Sequence, residues 1–297
     1  MGQELSVDTC IQKLFGESVR IRKQTPVSGG DINATFRLKL SDGRDVFLKT
    51  NRTALAGMFA AEAEGLAALG RSGVIPVARV LGYGADPVRD CSWLLLEYIP
   101  EGAPSGTFWE DFGRDLALLH QQETSAFVPG GRYGFVRDNY IGRTPQSNAA
   151  HDTFISFFRE ERLLPQFRMA ERWFSGAMTA RIDRLLARLD GILTEPDAPS
   201  LLHGDLWSGN FLIGADGRAA LIDPAVYVGC AEADLAMTEL FGGFSAHFYA
   251  AYQEVFSLAY GYEDRRDLYN LYHLLNHLNL FGSGYLSSVE NILKRYG

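Results

Sequence analysis

Two acids and an amide between Leu201 and Ala225 have the types and the spacing that phosphoryl transfer requires. The string LLHGDLWSGN sets Asp205 five residues ahead of Asn210, and LIDPA sets Asp223 eighteen residues after Asp205. Moving a phosphoryl group onto an alcohol needs a carboxylate beside the acceptor hydroxyl. It also needs oxygen donors, an acid and an amide, to hold magnesium at the phosphates. Asp205 is the candidate base, and Asn210 with Asp223 the candidate metal ligands. A lone Asp or Asn in a loop usually does no more than close a turn. The spaced set, lying between the apolar runs Leu201-Leu202 and Ala219 to Ile222, is what carries the chemistry.

The N-terminal third supplies matching parts. Lys49 ends the apolar run VFLK, where an unpaired ammonium would be costly to bury. Glu62 follows thirteen residues later on a helical pattern, placed to pair with Lys49 while the lysine reaches the phosphates of ATP. Gly29 and Gly30, in SGGDIN, permit close approach of backbone N–H groups to an anion, although a plain turn has the same composition. Glu97, Tyr98 and Ile99 end the run WLLLEYI, where a connecting strand could offer its backbone to adenine.

The elements that must position these residues divide the chain in two. Residues 34–40 alternate apolar and polar, Ser41-Asp42-Gly43 turns, and 45–49 resumes an extended run, which is a hairpin. Residues 54–70 carry Phe59, Ala63, Leu66 and Leu69 at helical spacing, and Trp93 to Ile99 suits a buried strand. Past Pro100-Glu101-Gly102 helical patterns dominate, at 107–121, 151–171, 177–194 and from Asp234 onward, interrupted by a Gly, Asn and Pro-rich stretch at 129–149. The fold expected is α+β and two-lobed: a small antiparallel-sheet lobe with one long helix (1–99), then a mainly helical lobe (100–297). The H-x-D-x-x-x-x-N loop, headed by His203 as its structural support, resembles the catalytic loop of protein kinases. Gly204 stands where those enzymes have Arg, and Asp223-Pro224-Ala225 where they have Asp-Phe-Gly. Both differences point to small-molecule kinases. Asp234 lies only eleven positions after Asp223, too close for a phosphorylated activation loop, so constitutive activity is expected.

Composition closes off other classes. A net charge of −8 with no basic stripe argues against nucleic-acid binding. No stretch approaches the roughly 18 apolar residues of a membrane span, and no secretory pattern opens the sequence. Three scattered cysteines form neither a disulfide framework nor a zinc spacing, which fits a reducing cytoplasm. His273 and His277 lie four apart, but Leu274 replaces the glutamate of a zinc-protease motif, so they are read as packing residues. Gly82-Tyr83-Gly84 lacks the third glycine of a dinucleotide fingerprint, and no G-x-S-x-G is present.

Longer strings carry a more specific resemblance. DPAVYVGCAEADLAMTELFGGF, HGDLWSGN, YGFVRDNYIGRTPQSN, the run Phe157 to Leu163, SGGDIN and MFAAEAEGL are similar to segments of the fructosamine (ketosamine) kinases, across about the whole chain. The resemblance implies ATP- and Mg2+-dependent phosphorylation of O3 of a ketosamine, a sugar joined through an amine, free or protein-bound. The product then decomposes and frees the amine, which is deglycation. It also implies that Asp234 braces the catalytic loop and that Trp207 stacks on the sugar. Two departures stand out: Cys230-Ala231 where the family commonly has a basic residue before Glu232, and Thr153 where an aromatic is frequent. An aminoglycoside- or choline-type phosphotransferase is the alternative within kinases, and a pseudokinase binding module the alternative outside catalysis. Oligomeric state is not legible.

Overall fold

The computed structural model describes residues 6–27 and 32–297. The chain folds into two compact units, one of residues up to Phe108 together with Phe211–Pro224, the other of Trp109–Asn210 and Ala225–Gly297. The architecture is α+β and two-lobed, a sheet-based lobe followed by a helical one.

The first unit is a five-stranded antiparallel sheet in the order β1-β2-β3-β5-β4: β1 (Ile21–Pro26), β2 (Ala34–Leu40), β3 (Asp45–Asn51), β4 (Val80–Asp86) and β5 (Cys91–Glu97). Both faces are covered. Trp93 and Leu95 pack with Leu38, Val46 and Leu48 against Cys10 and Ile11 of helix α1 (Val7–Phe15). Leu94 and Leu96 pack on the opposite face against Phe59, Ala63 and Leu66 of helix α2 (Ala56–Gly70). A strand covered on both sides has no polar alternation, which is why WLLLE reads as a continuous apolar run. Three elements lack a sequence signal. β1 is a polar edge strand, IRKQTP, exposed along most of its length, and its Arg22 and Lys23 are the kind of charge that protects an edge. β4 contains two glycines, and α1 is short, although Ser6 caps it by accepting the Thr9 N–H at 3.2 Å.

The division expected after Ile99 falls short of the one observed. Segment 101–108 is stitched to a hairpin of β9 (Phe211–Ile213) and β10 (Ala219–Leu221): the Gly102 N–H donates to the Ile213 carbonyl at 2.9 Å and the Ser105 N–H to that of Gly217 at 3.2 Å. The hairpin docks on the first unit through the Leu221 N–H, which donates to the Pro76 carbonyl at 2.9 Å.

The second unit is mainly helical, with α3 (Phe108–His120), α6 (Gly176–Arg188), α7 (Ala231–Leu240), α8 (Ala246–Val255), α9 (Tyr262–Phe281) and α10 (Leu286–Tyr296). The pattern at 151–171 is α4 (Phe154–Phe157), a π-helical stretch and α5 (Leu164–Met169) in one run, with Thr153 as the cap of α4. The Gly and Asn-rich stretch contains a small hairpin, β6 (Asn139–Ile141) and β7 (Thr144–Gln146), and β8 (Ser200–Leu202) pairs with β11 (Tyr227–Gly229). Every residue of α9 from Leu268 to Asn276 is buried, polar ones included. Cys230 and Ala231 are buried at the start of α7 beside a fixed ion pair, in which the Arg265 guanidinium donates to both Glu232 oxygens at 2.6 and 2.9 Å and the Tyr269 hydroxyl adds a third bond.

Breaking one side of a buried pair strands the other charge. Arg265→Met should cost about 3–5 kcal/mol by urea denaturation, and adding Glu232→Leu should recover most of the loss.

Candidate active site

Strand register decides where Lys49 points. Lys49 lies opposite Leu94, and cross-strand partners share a face, so its side chain leaves the sheet on the α2 side. There its ammonium donates to Glu62 Oε1 at 2.6 Å and to Asp223 Oδ1. Burial alone would discharge the lysine, but the Glu62 and Asp223 carboxylates outweigh it and hold the group protonated above its ordinary range. Asp223 is delivered by the β9–β10 hairpin, which explains how a residue 174 positions away reaches Lys49. It takes a left-handed backbone, φ 53°, which is uncommon for any residue but glycine and tolerated best by Asn and Asp. Its side chain is 42% exposed and Oδ1 faces Lys49, so carboxylate oxygen is available to a ligand.

A second cluster is built around Asp234, in the first turn of α7 and 1% exposed. Its carboxylate accepts the backbone N–H of His203 at 2.6 Å, that of Gly204 at 2.8 Å, and faces His120 Nε2 at 3.3 Å. Burial would raise this carboxyl, but His120, His203 and the Gly204 N–H together bring it below the usual carboxylate range. His120 is held from behind by the Tyr252 hydroxyl at 2.8 Å. Gly204 has φ 82°, and a Cβ there would fall on the Ala225 carbonyl oxygen, so this position admits only glycine. The Ala225 N–H in turn donates to the His203 carbonyl at 2.9 Å.

The loop that follows presents Asp205. His203 Nδ1 accepts the Asp205 backbone N–H at 3.3 Å. Asn210 Nδ2 donates to the Asp205 carbonyl at 2.8 Å and to its Oδ2 at 3.1 Å. With its NH2 group so committed, Asn210 has its amide oxygen to offer a ligand. Amide and carboxylate oxygens are the kind of hard donor that magnesium takes. No cluster of three or more His, Cys, Asp or Glu side chains that could hold a metal ion occurs among the described residues. Trp207, 37% exposed, stands edge-on to Phe241 with ring centroids 6.1 Å apart, one of few large apolar side chains left open.

The structure thus joins Lys49, Glu62 and Asp223 in one cluster, and His203, Asp205, Asn210 and Asp234 in another. Glu97 is exposed and its N–H is committed to the Arg79 carbonyl at 2.9 Å, so any N–H donors of that stretch come from Tyr98 and Ile99. Tyr98 carries the Arg37 guanidinium over its ring at 4.5 Å. Gly29 and Gly30 lie outside the described residues. Sequence reading missed His120, Tyr252 and the position of His273. A buried Asp234 demands partners, and a histidine ending the apolar helix DLALLH was the available signal for His120.

Residues 4–296 match the fructosamine kinase family. The chain belongs to it. It is accordingly an ATP-dependent kinase of the ketosamine type. The chain is similar to a probable ketoamine kinase of Synechocystis, 39% identical over 290 residues, covering 96% of this chain and 94% of that protein. It is similar also to the chloroplastic protein-ribulosamine 3-kinase of Arabidopsis thaliana, 38% identical over 286 residues, covering 95% of this chain and 84% of that one. Among solved structures, that of a candidate fructosamine-3-kinase from Thermobifida fusca superposes with a TM-score of 0.84 at 33% identity, covering 99% of both chains.

Asp234→Asn replaces one accepting oxygen with an NH2 group that opposes a backbone N–H. The substitution should cost about 1–3 kcal/mol of stability, seen as a lowered urea midpoint, and reduce kcat because the loop carrying Asp205 loses its anchor.

Proposed function

We propose that this kinase transfers the γ-phosphoryl group of ATP to O3 of a ketosamine, with fructosamine or ribulosamine linked to a free or protein-bound amine as the substrate class. Asp205 takes the proton of the acceptor hydroxyl as O3 bonds to the γ-phosphorus and the bond to ADP breaks. Lys49, kept charged by Glu62, offsets negative charge on the phosphates. The backbone of 97–99 receives adenine. Asn210 and Asp223 are the ligands for magnesium, which when bound neutralises charge developing on the transferred group. Trp207 offers an indole face to the C–H side of the sugar. The phosphorylated product sheds its phosphate and frees the amine, so the reaction serves deglycation.

One observation carries the reading: every side chain that phosphoryl transfer calls for is present, and each is held by partners suited to its role. A pseudokinase usually lacks the lysine, the base or the metal acid, and this chain lacks none. The segment between Asp223 and Asp234 is taken up largely by buried strand β11 and the start of α7, which supports activity without a regulatory loop. No helix among the described residues is long and apolar enough to cross a membrane, and Cys10, Cys91 and Cys230 are free thiols, which supports a cytoplasmic setting.

The test is ATP consumption with magnesium against ribulosamine, fructosamine, an aminoglycoside and choline. Turnover is expected on a ketosamine, with a loss of at least about 100-fold in kcat in Asp205→Asn and a comparable loss in Lys49→Met. Turnover on the aminoglycoside or choline alone would keep the mechanism and discard the acceptor. ATP binding without any turnover would favour the binding module.

A further inference from the structure

His273 faces the catalytic loop from the middle of α9, where the surrounding stretch of helix is wholly buried. Its side chain is 4% exposed, and Nδ1 lies 3.8 Å from Asp205 Oδ1. That nitrogen is buried without a hydrogen-bond partner among the described residues. The gap is too long for a hydrogen bond, yet too short to seat a water, which needs a bonding distance on each side. Asp205 Oδ2 is already engaged by Asn210 Nδ2 at 3.1 Å, so Oδ1 is the oxygen that His273 addresses. A small swing of the carboxylate closes the pair and relieves a buried polar atom that is otherwise unpaired.

The ring is buried against its neighbour on the helix. It packs edge-on to Tyr272 with centroids 5.2 Å apart, and the His273 carbonyl faces His277 Nδ1 at 2.8 Å. Burial pushes its pKa down to about 3, with His277 and Arg162 adding to the effect and Asp234 opposing it, so the imidazole is neutral across the working range. A neutral donor can aim a carboxylate without cancelling its charge, whereas an imidazolium beside Asp205 would weaken it as a base.

We propose that His273 is a positioning residue for the base, its Nδ1–H donating to Oδ1 of Asp205 and holding the carboxylate in the orientation that receives the acceptor proton. The proposal rests on the assignment of Asp205 as base. It also gives His273 a reading apart from the packing role its sequence suggests.

The full chain is the material for the test, with the ketosamine turned over by the wild type as substrate. In His273→Asn the side-chain amide reproduces a donor near Nδ1. His273→Gln moves the donor to the Nε2 end, and His273→Leu removes it. A misaimed catalytic group costs roughly 10- to 100-fold, so kcat should fall by that factor in the Leu and Gln variants and stay within about threefold of wild type in His273→Asn. KM for ATP should be unchanged throughout, and thermal melts check that each variant folds. If His273→Leu is too unstable to assay, the Asn and Gln variants, alike in polarity, decide the matter. Wild-type kcat in His273→Gln or His273→Leu, or equal losses in the Asn and Gln variants, would overturn the proposal. Asp205→Asn is run beside them: a flat His273 series with an inactive Asp205→Asn rejects His273 alone, while an active Asp205→Asn rejects the base itself.

Discussion

The loop that presents Asp205 depends on one carboxylate taken out of water. Asp234 would be expensive to bury ionised were its oxygens not filled by two backbone N–H groups and a histidine. It also sits in the first turn of α7, where the helix dipole favours negative charge. Since two of its partners are the consecutive amides of His203 and Gly204, the carboxylate fixes the direction in which the chain leaves β8. Asp205 is the next residue. Its orientation therefore depends on a buried group outside the loop.

The first unit uses the same device with the signs reversed. There a buried cation, Lys49, is held by two carboxylates, one from α2 and one from the β9–β10 hairpin. Neither cluster resembles an isolated surface ion pair, whose worth is at most about 1 kcal/mol. Each is a buried charge with several partners, and removing any one partner leaves the others uncompensated. The positive φ of Asp223 belongs to the same arrangement: the hairpin and the lysine together hold a conformation that this residue would rarely choose alone.

Much of this was legible in the residues. The H-x-D-x-x-x-x-N loop and the following Asp marked the candidate chemistry, and the Lys49–Glu62 pairing followed from a lysine on an apolar strand and a glutamate on the next helix. Strands with a simple pattern, such as β2, could be read, while β1 and β4 could not. An edge strand with charged side chains and a strand broken by glycines both lack the alternation that marks a half-buried sheet. His120 and His273 were illegible for a different reason. A histidine on a buried helix looks the same in sequence whether it packs, braces or binds, and only a partner far along the chain distinguishes these. Asp234 lies 114 residues from His120.

The discontinuity of the first unit has a consequence for biosynthesis. Its sheet and α2 are complete by Phe108, yet the hairpin that bonds to Pro76 and carries Asp223 is made only after 109–210 have been added. At ordinary elongation rates that is a delay on the order of 5 to 20 seconds. During it the nascent lobe has Glu62 but not Asp223 to face its buried lysine, and the Pro76–Val77 stretch has no strand beside it. The N-terminal half of the kinase is thus finished from within its C-terminal half. A chain truncated before Phe211 would lack the piece that closes its own first domain.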